Sequence, residues 1–424
     1  MKKLTRRTPK GEGQVFQMPL SRDERVALIQ DGLNSLACQL GLIAAQEMLD
    51  AEIFELCGPM HHRIPERAAS RWGRQRGTVV LNGRKMPIQK PRARLVDGRE
   101  AILETYQRLQ SPEAMPENAL RRMIRGVSCR DYEGCLEPMA KGFGTKRSSV
   151  SRGFVKASGK RMKDLAERRF DGQEFVAVFI DGVPYGGEML IVALGVLASG
   201  PDAGTKVILG LRQGATENAQ VCTDLLADLR DRGLSFDEPM LFVLDGGKAL
   251  TASVKRLCGP KVQIQRCQQH KIRNVQGYLP EKYHDDIRRR MAAAYACEDA
   301  KDGERQLKNL VAWLMRINKD AAASLQEGLQ ETLTVARLGL PPMLAKSLVT
   351  TNPIESAFSV ATKVTNRVKR WRGGDMRQRW ATTGLMRAEA AFNRLKGYRE
   401  IPLLQAALKK VANGDVVDLE ENAA

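Results

Sequence analysis

Residues Phe175–Ile180 read FVAVFI, and Asp181 follows at once. Six apolar residues without a polar alternation describe a strand buried on both faces, so helices must cover the sheet on each side. The runs MLIVALGVL (Met189–Leu197) and TKVILGL (Thr205–Leu211) repeat that texture. Next, TENAQVCTDLLADLRDRGL sets Val221, Leu225, Leu226 and Leu229 on one helix face, and MLFVL (Met240–Leu244) is a further apolar run. The predicted order is strand, strand, strand, helix, strand, helix, which is an α/β arrangement. Asp181 ends the first of these strands and Asp245 the fourth. Sites of open α/β sheets lie at the carboxyl ends of strands, so the two acids meet if those strands are neighbours. Asp-Gly is also a common turn, and either acid alone reads equally as one.

Downstream, from Gly277 to about Ala345, the strand signal stops. PEKYHDDIRRRMAAAYAC, DGERQLKNLVAWLMRI and KDAAASLQEGLQETLTVARL are three helical segments. VTTNPIESAF (Val349–Phe358) then starts another helix, predicted over about 352–370. Asn352 as N-cap, Pro353 at N1 and Glu355 at N3 make a helix-start signature, so Glu355 reads as a cap or as a reactive acid. Ile354, Phe358, Ala361, Thr365 and Val368 share the face that would pack on the sheet. Glu355 lies about 100° from that face, free to reach the sheet edge.

Upstream, Val26, Ile29, Leu33, Leu36, Leu40 and Ile43 recur at three- and four-residue steps. Two helices are expected over Ser21–Cys57, broken near Gly41. A basic hairpin should turn at Asn82-Gly83. Residues 112–170 resemble helix, turn, helix, turn, helix, with Ser128 and Ser148 as caps and Arg147, Arg152 and Lys156 on the last helix. That is the look of a DNA-reading helix-turn-helix, and also of a small bundle with a solvated basic face. Residues 1–20 read as a basic flexible arm and 411–424 as an acidic disordered tail.

Length and charge bound the rest. A chain of 424 residues suggests two to four domains. Its formal net charge of +19 calls for a polyanionic partner, nucleic acid before an anionic membrane surface. No apolar run approaches the ~20 residues that span a bilayer, and no apolar segment follows the basic start, so a cytoplasmic protein without membrane association is expected. Eight scattered cysteines show no disulfide spacing and are expected as thiols. Cys267 and His270 form a Cys-x-x-His pair. Cys258, Cys297 and His284 do not complete a zinc ribbon or finger with it, so the pair stands either at a helix start or in a site. Three carboxylates in one place repel each other, and Mg²⁺, which takes hard oxygen ligands, removes the conflict. Two such ions suit phosphodiester chemistry, with Mn²⁺ as a substitute.

FIDGVPYG, LFVLDGGKAL, QRCQQHKIRNV and TTNPIESAF, taken as a set, resemble the Mutator-type bacterial insertion-sequence transposases. These are DDE enzymes with a ribonuclease-H-like core, and the likeness spans roughly residues 100–395. It implies a mixed five-stranded α/β core over 172–276 and 346–410, an all-α insertion over 277–345, and a mostly helical N-terminal DNA-binding region in two parts, 21–110, which also serves dimerisation, and 111–171 with its linker helices. It makes Asp181, Asp245 and Glu355 the metal-binding acids and sets His270, beside Cys267, near the scissile phosphate. It also suggests Trp313, in the insertion, as a base-stacking aromatic, although the residues themselves favour a core or interface tryptophan. Where the family has Gly-Leu after the second Asp, this chain has Ala249-Leu250. Arg273, Lys363, Arg367, Lys369, Arg370 and Arg372 offer a phosphate track. Arg266 and Lys271 are expected to add positive charge beside the site. The implied function is a transposase that binds terminal inverted repeats, cuts with Mg²⁺, joins 3′-OH ends to target DNA, and works as a homodimer or larger oligomer. A ribonuclease-H-like nuclease or resolvase, and a catalytically retired DNA-binding regulator, are the alternatives.

Overall fold

The computed structural model describes residues 22–60, 62, 68–81, 84–110, 114–129, 132, 147–214, 219–259, 261–366, 368 and 370–414. Two compact units separate, one of residues up to Met123 with Val127–Phe154, the other of Ile124–Gly126 with Val155 onward.

The first unit opens with α1 (Arg22–Cys57), followed by the antiparallel pair β1 (Ala69–Leu81) and β2 (Arg84–Leu95), then α2 (Glu104–Leu109) and α3 (Ala114–Ile124). The expected break at Gly41 does not occur, and α1 is one helix of 36 residues. A helical glycine costs about 1 kcal/mol, too little to stop a helix whose later turns are anchored. Ala45, Leu49, Ile53 and Cys57 supply the anchor, buried with Val79, Met86 and Ile88 of the strand pair. Leu81 pairs with Arg84, and Asn82-Gly83 between them lies outside the described residues. So do the arm 1–20, residues 415–424 of the expected tail, and most of the stretch between α3 and α4 (Arg147–Ala166) where the middle helix was expected, while residues 411–412 of that tail instead end the last helix.

The second unit holds a five-stranded mixed sheet. In chain order come β3 (Phe175–Tyr185), β4 (Glu188–Leu197), β5 (Lys206–Gly214), α5 (Ala219–Asp231), β6 (Leu241–Leu244), α6 (Lys248–Cys258), β7 (Gln263–Arg266) and α7 (Gln268–Gln276). Across the sheet the order is β5-β4-β3-β6-β7. β3, β4 and β5 are antiparallel neighbours, while β3–β6 and β6–β7 are parallel. The first and fourth apolar runs are therefore neighbours. Both faces of β3 are buried, as its unbroken apolar run requires: Ala177 and Phe179 enter one apolar cluster, Val178 and Ile180 the other. α5 and α6 cover the second cluster through Leu225, Leu229, Leu250 and Val254.

Four helices follow, α8 (His284–Tyr295), α9 (Ala300–Leu314), α10 (Lys319–Gln326) and the short α11 (Thr334–Arg337). The cluster of the first three is separate from the sheet's and takes in Ile272 and Val275 of α7, Ile287, Leu307, Leu325 and Leu333. From Val335 onward the chain rejoins the sheet's first cluster. Buried polar side chains fix that return. Gln265 donates to Thr332 O at 2.9 Å and accepts from Val335 N–H at 2.8 Å. Thr334 Oγ1 donates to Ile264 O at 2.7 Å, and Gln268 Nε2 donates to Thr332 O at 3.0 Å.

α12 (Pro342–Leu348), α13 (Asn352–Thr365), α14 (Met376–Glu389) and α15 (Ile401–Ala412) then cover the first face of the sheet. α13 lays Ile354, Phe358, Ala361 and Thr365 inward, the face foreseen from the sequence. It ends at Thr365 rather than near residue 370, so Arg370 and Arg372 stand beyond it. The β-branched Val364 and Thr365 followed by Asn366 favour termination there. α13 and α14 cross at Gly384, where a Cβ would lie 2.7 Å from Ala361 Cα. Gly384→Val should therefore push α13 off its seat and cost about 1–3 kcal/mol, read as a lower urea midpoint. An unchanged midpoint would mean that this crossing does not hold α13.

Candidate active site

The parallel register aligns the strand ends. Ile180 pairs with Leu244 and Leu244 with Arg266, so Asp181, Asp245 and Cys267 take the next places side by side. Cys267 N–H donates to Leu244 O at 2.7 Å, which extends the row by one bond. Side chains alternate along a strand. Asp181 has the parity of Phe179 and Val183, and Asp245 that of Leu241 and Val243, so both belong to the face that α13 covers. Asp181 is only 4% exposed, and its Oδ1 accepts the Gly182 N–H at 2.8 Å. Asp245 Oδ1 accepts the Gly247 N–H at 2.9 Å. Gly246 between them has φ of 101°, and a Cβ there would meet Arg266 Nε at 2.0 Å. The Asp-Gly-Gly loop thus needs glycine on two counts, left-handed backbone and a guanidinium lying across it.

Two helix starts complete the site. Cys267 caps α7, and His270 comes one turn later. α13 begins one residue earlier relative to its cap than the sequence suggested. Thr351 is the N-cap, and its carbonyl accepts the N–H of Ile354 and of Glu355, each at 3.0 Å. Glu355 therefore stands past the capping-box position, and its side chain is not spent on the cap. Thr351 is fully buried and joins the parts. Its N–H and hydroxyl reach Cys267 Sγ at 3.4 and 3.5 Å, and the hydroxyl lies 3.3 Å from His270 Nδ1. Thr351 was not singled out from the sequence. Its only signal was its place one residue before the Asn-Pro of the motif.

Ligand atoms of Asp181, His270 and Glu355 lie within 4.8 Å of one another, the one such group among the described residues. Glu355 Oε1 is 3.5 Å from His270 Nε2 and 3.5 Å from an Arg273 nitrogen. Asp245 is not in that group, but its charge is felt there. Burial first, then Asp245, push the Asp181 carboxyl up to about 6. His270 is raised to about 9, first by its hydrogen bond to Cys267 and further by Asp181 and Asp245. Burial alone would raise the Cys267 thiol, but hydrogen bonds from His270 and Thr351 outweigh it and hold the pKa below the usual value. A divalent cation fits this arrangement. Two carboxylates repel across a buried strand end, and no described Lys or Arg forms an ion pair with Asp181 or Asp245. The acids offer hard oxygens of the kind Mg²⁺ takes.

The remaining residues fall elsewhere. Arg273 is at the site, 59% exposed. Arg266 and Lys271 do not face it: Arg266 donates to Glu327 O at 3.0 Å, and the buried Lys271 donates to Ser324 O and Glu327 O, closing the end of α10. The orphan carbonyls of a helix end outcompete the site for that ammonium. Trp313 packs in the helical segment, with Tyr283 edge-on at 6.3 Å and the Arg290 guanidinium over its ring at 4.6 Å. Lys363, Arg370 and Arg372 are exposed, while Arg367 and Lys369 lie outside the described residues. Arg147, Arg152 and Lys156 are exposed on α4, Arg152 and Lys156 one turn apart. Cys258 and Cys297 join no metal-holding group with Cys267 among the described residues, and no disulfide links the described cysteines. None of the described helices is long and apolar enough to cross a membrane.

The family described as "Transposase, Mutator family" matches residues 17–372. The chain is 27% identical over 252 residues to the transposase of insertion sequence element IS6120 from Mycolicibacterium smegmatis, covering 57% of this chain and 75% of that one. It is 25% identical over 305 residues to the ISRM3 transposase of Rhizobium meliloti, covering 69% and 71%. With the IS256 transposase of transposon Tn4001 from Staphylococcus aureus it shares 22% over 286 residues, covering 64% and 69%.

The raised Asp181 pKa carries a stability consequence for the metal-free protein. Burial raises the folded carboxyl to about 6, while an aspartate in the unfolded chain loses its proton near 3.8. That contribution is full below the unfolded value and is lost as pH rises through the folded one. Asp181→Asn should therefore gain on the parent by about 2–3 kcal/mol between pH 4 and 7, read by urea unfolding in chelator. A constant difference across that range would rule out the buried carboxylate conflict.

Proposed function

The chain belongs to the Mutator family of transposases, and on that premise we propose that it cuts and rejoins DNA strands at a divalent-metal site made by Asp181, Asp245 and Glu355. The observation that carries the proposal is the gathering of Asp181, His270 and Glu355 within 4.8 Å, with the charge of Asp245 acting on Asp181. The core is read as ribonuclease-H-like. Three antiparallel strands followed by two parallel ones, in the order β5-β4-β3-β6-β7, support that reading.

Asp181, Asp245 and Glu355 would hold Mg²⁺, two ions with Mn²⁺ as a substitute. When bound, these supply Lewis acidity at the attacking and leaving oxygens of an in-line displacement. His270 is raised to about 9 in the metal-free site, and as an imidazolium it would donate to a non-bridging phosphate oxygen. Thr351, through its hydroxyl, and Cys267, through its sulfur, fix the imidazole. Arg273 adds charge at the rim beside Glu355. In the first step water attacks the phosphodiester at the element end and the 3′-oxygen leaves. In the second that 3′-OH attacks a target phosphodiester. Neither step needs a protein nucleophile.

The exposed Arg152 and Lys156 on α4, with Arg147 on another face, would contact the terminal inverted repeats, and Lys363, Arg370 and Arg372 the phosphates leading to the site. Two element ends held together require at least two copies of the chain. We place the reaction in the cytoplasm, where the DNA is.

Full-length protein with labelled element-end DNA, Mg²⁺ and a target plasmid should yield ends covalently joined to the target. Asp181→Ala, Asp245→Ala and Glu355→Ala should each lower joining at least about a hundredfold, some 2.7 kcal/mol of barrier, while gel shifts show end binding intact. Cutting without joining would indicate the nuclease reading. Binding without cutting in parent and variants alike would indicate a regulator.

A further inference from the structure

Arg266 ends β7 and pairs in the parallel register with Leu244, the last residue of β6. Its side chain is buried between two glycines from distant parts of the chain. One is Gly246, directly after Asp245, where a Cβ would meet the guanidinium carbon at 2.6 Å. The other is Gly328, just past the end of α10, where a Cβ would meet Nη1 at 2.6 Å. Both have left-handed backbone, with φ of 101° and 62°. Arg266 Nη1 donates to Glu327 O at 3.0 Å, and Nη2 is 3.5 Å from the Glu327 carboxylate. The guanidinium is thus a wedge between the Asp245 loop and the end of α10.

Three observations set this wedge apart from ordinary packing. It is held at a cost: Nε is buried and has no hydrogen-bond acceptor among the described residues. An unpaired buried donor on a charged group is unfavourable, so stability alone does not select this placement. The loop also borders a cavity of about 270 Å³, lined by Leu244, Gly246, Thr251, Ile264 and Gly328 among others. A loop with two successive glycines beside open space is free to sink into it unless a rigid group fills the gap. The remaining ties between this region and the end of α10 are weak. Lys248 lies 3.4 Å from Glu327 and Lys255 3.5 Å from Glu331, but the two lysines are 89% and 60% exposed, and exposed pairs constrain little.

We propose that Arg266 is a positioning residue for Asp245: braced on the end of α10, it holds the Asp-Gly-Gly loop in the shape that presents the carboxylate to the metal site. The inference rests on the reading of Asp245 as a metal ligand. It makes the seating of the helical segment a condition of metal binding, transmitted through one buried side chain. The charge of Arg266 gives the test its sign. Removing a cation beside the acids would by itself tighten a divalent cation, whereas loosening the Asp245 loop weakens it.

Full-length protein is titrated with Mn²⁺ alone, the free ion being read by electron paramagnetic resonance. Urea unfolding in chelator establishes that each variant is folded under the titration conditions. Arg266→Gln should bind Mn²⁺ at least about tenfold more weakly than the parent, the scale on which residues supporting a metal ligand act. Arg266→Lys keeps the charge but not the planar fork, and it should be weakened as well. Gly328→Ala lies in the helical segment and presses on Nη1 from the far side. It should also weaken binding, and combined with Arg266→Gln it should add nothing further. If Arg266→Gln does not fold, Gly328→Ala decides by the same tenfold measure. Unchanged or tighter binding in Arg266→Gln, parent-like binding in Arg266→Lys, or full additivity with Gly328→Ala would overturn the inference. Asp245→Ala separates it from the reading beneath it. Weak binding there, with parent-like binding in Arg266→Gln, removes the positioning role and keeps Asp245 as a ligand. Parent-like binding in Asp245→Ala removes the ligand and the positioning role together.

Discussion

The charge of Asp245 acting on the buried Asp181 carboxyl is the constraint around which the second unit is arranged. A fold built for stability alone would bring a cation to that strand end, because an uncompensated buried carboxylate is costly. Cations are close by. Arg266 ends the adjacent strand, and Lys271 follows His270 directly. Yet both reach toward backbone carbonyls at the end of α10. Around the acids the chain supplies the backbone N–H groups of Gly182 and Gly247 and the side chains of Thr351 and His270. His270 offsets the repulsion only in part, and the Asp181 carboxyl still stands above its usual range.

The third acid comes from far along the chain and needs a different kind of support. Glu355 is placed by a helix start, and that start is pinned through Thr351 to the cap of α7. Gln268 N–H also donates to Val349 O at 3.0 Å, so the segment entering α13 lies against the start of α7. Among the described residues, the Glu355 side chain is held by contacts of 3.5 Å to His270 and Arg273. The two aspartates are set by strand register, whereas the glutamate is set by a cap and loosely by its own side chain. The three acids therefore differ in how firmly the apo protein holds them.

Much of this was legible in the residues. Unbroken apolar runs announced a covered sheet, and Asp181 and Asp245 ended the two that proved to be neighbours. The inward face of α13 followed from its period. Other features were hidden for physical reasons. β7 reads QIQR, too polar to look like a strand, because Gln265 and Arg266 spend their side chains on the returning chain rather than on the core. Gly41 looked like a break because its cost is local, while the anchoring of α1 is tertiary. Arg266 and Lys271 looked like site charges because sequence shows sign and not direction. Thr351 was overlooked because a buried hydroxyl that bridges two distant helix starts leaves no trace in spacing.

The clamp that closes the helical segment has one more consequence. Gln265, Gln268 and Thr334 hold the chain's return directly against β7 and α7, and the helices in between fold around a core that they share with α7. The position at which the chain returns to the site is then set by these anchors, while the helices packed on α7 steady the helix that carries His270. Over evolutionary time the turns far from these anchors and from α7 could be lengthened, trimmed or rebuilt without disturbing the acids, much as a buckle keeps its fit whatever hangs from the strap.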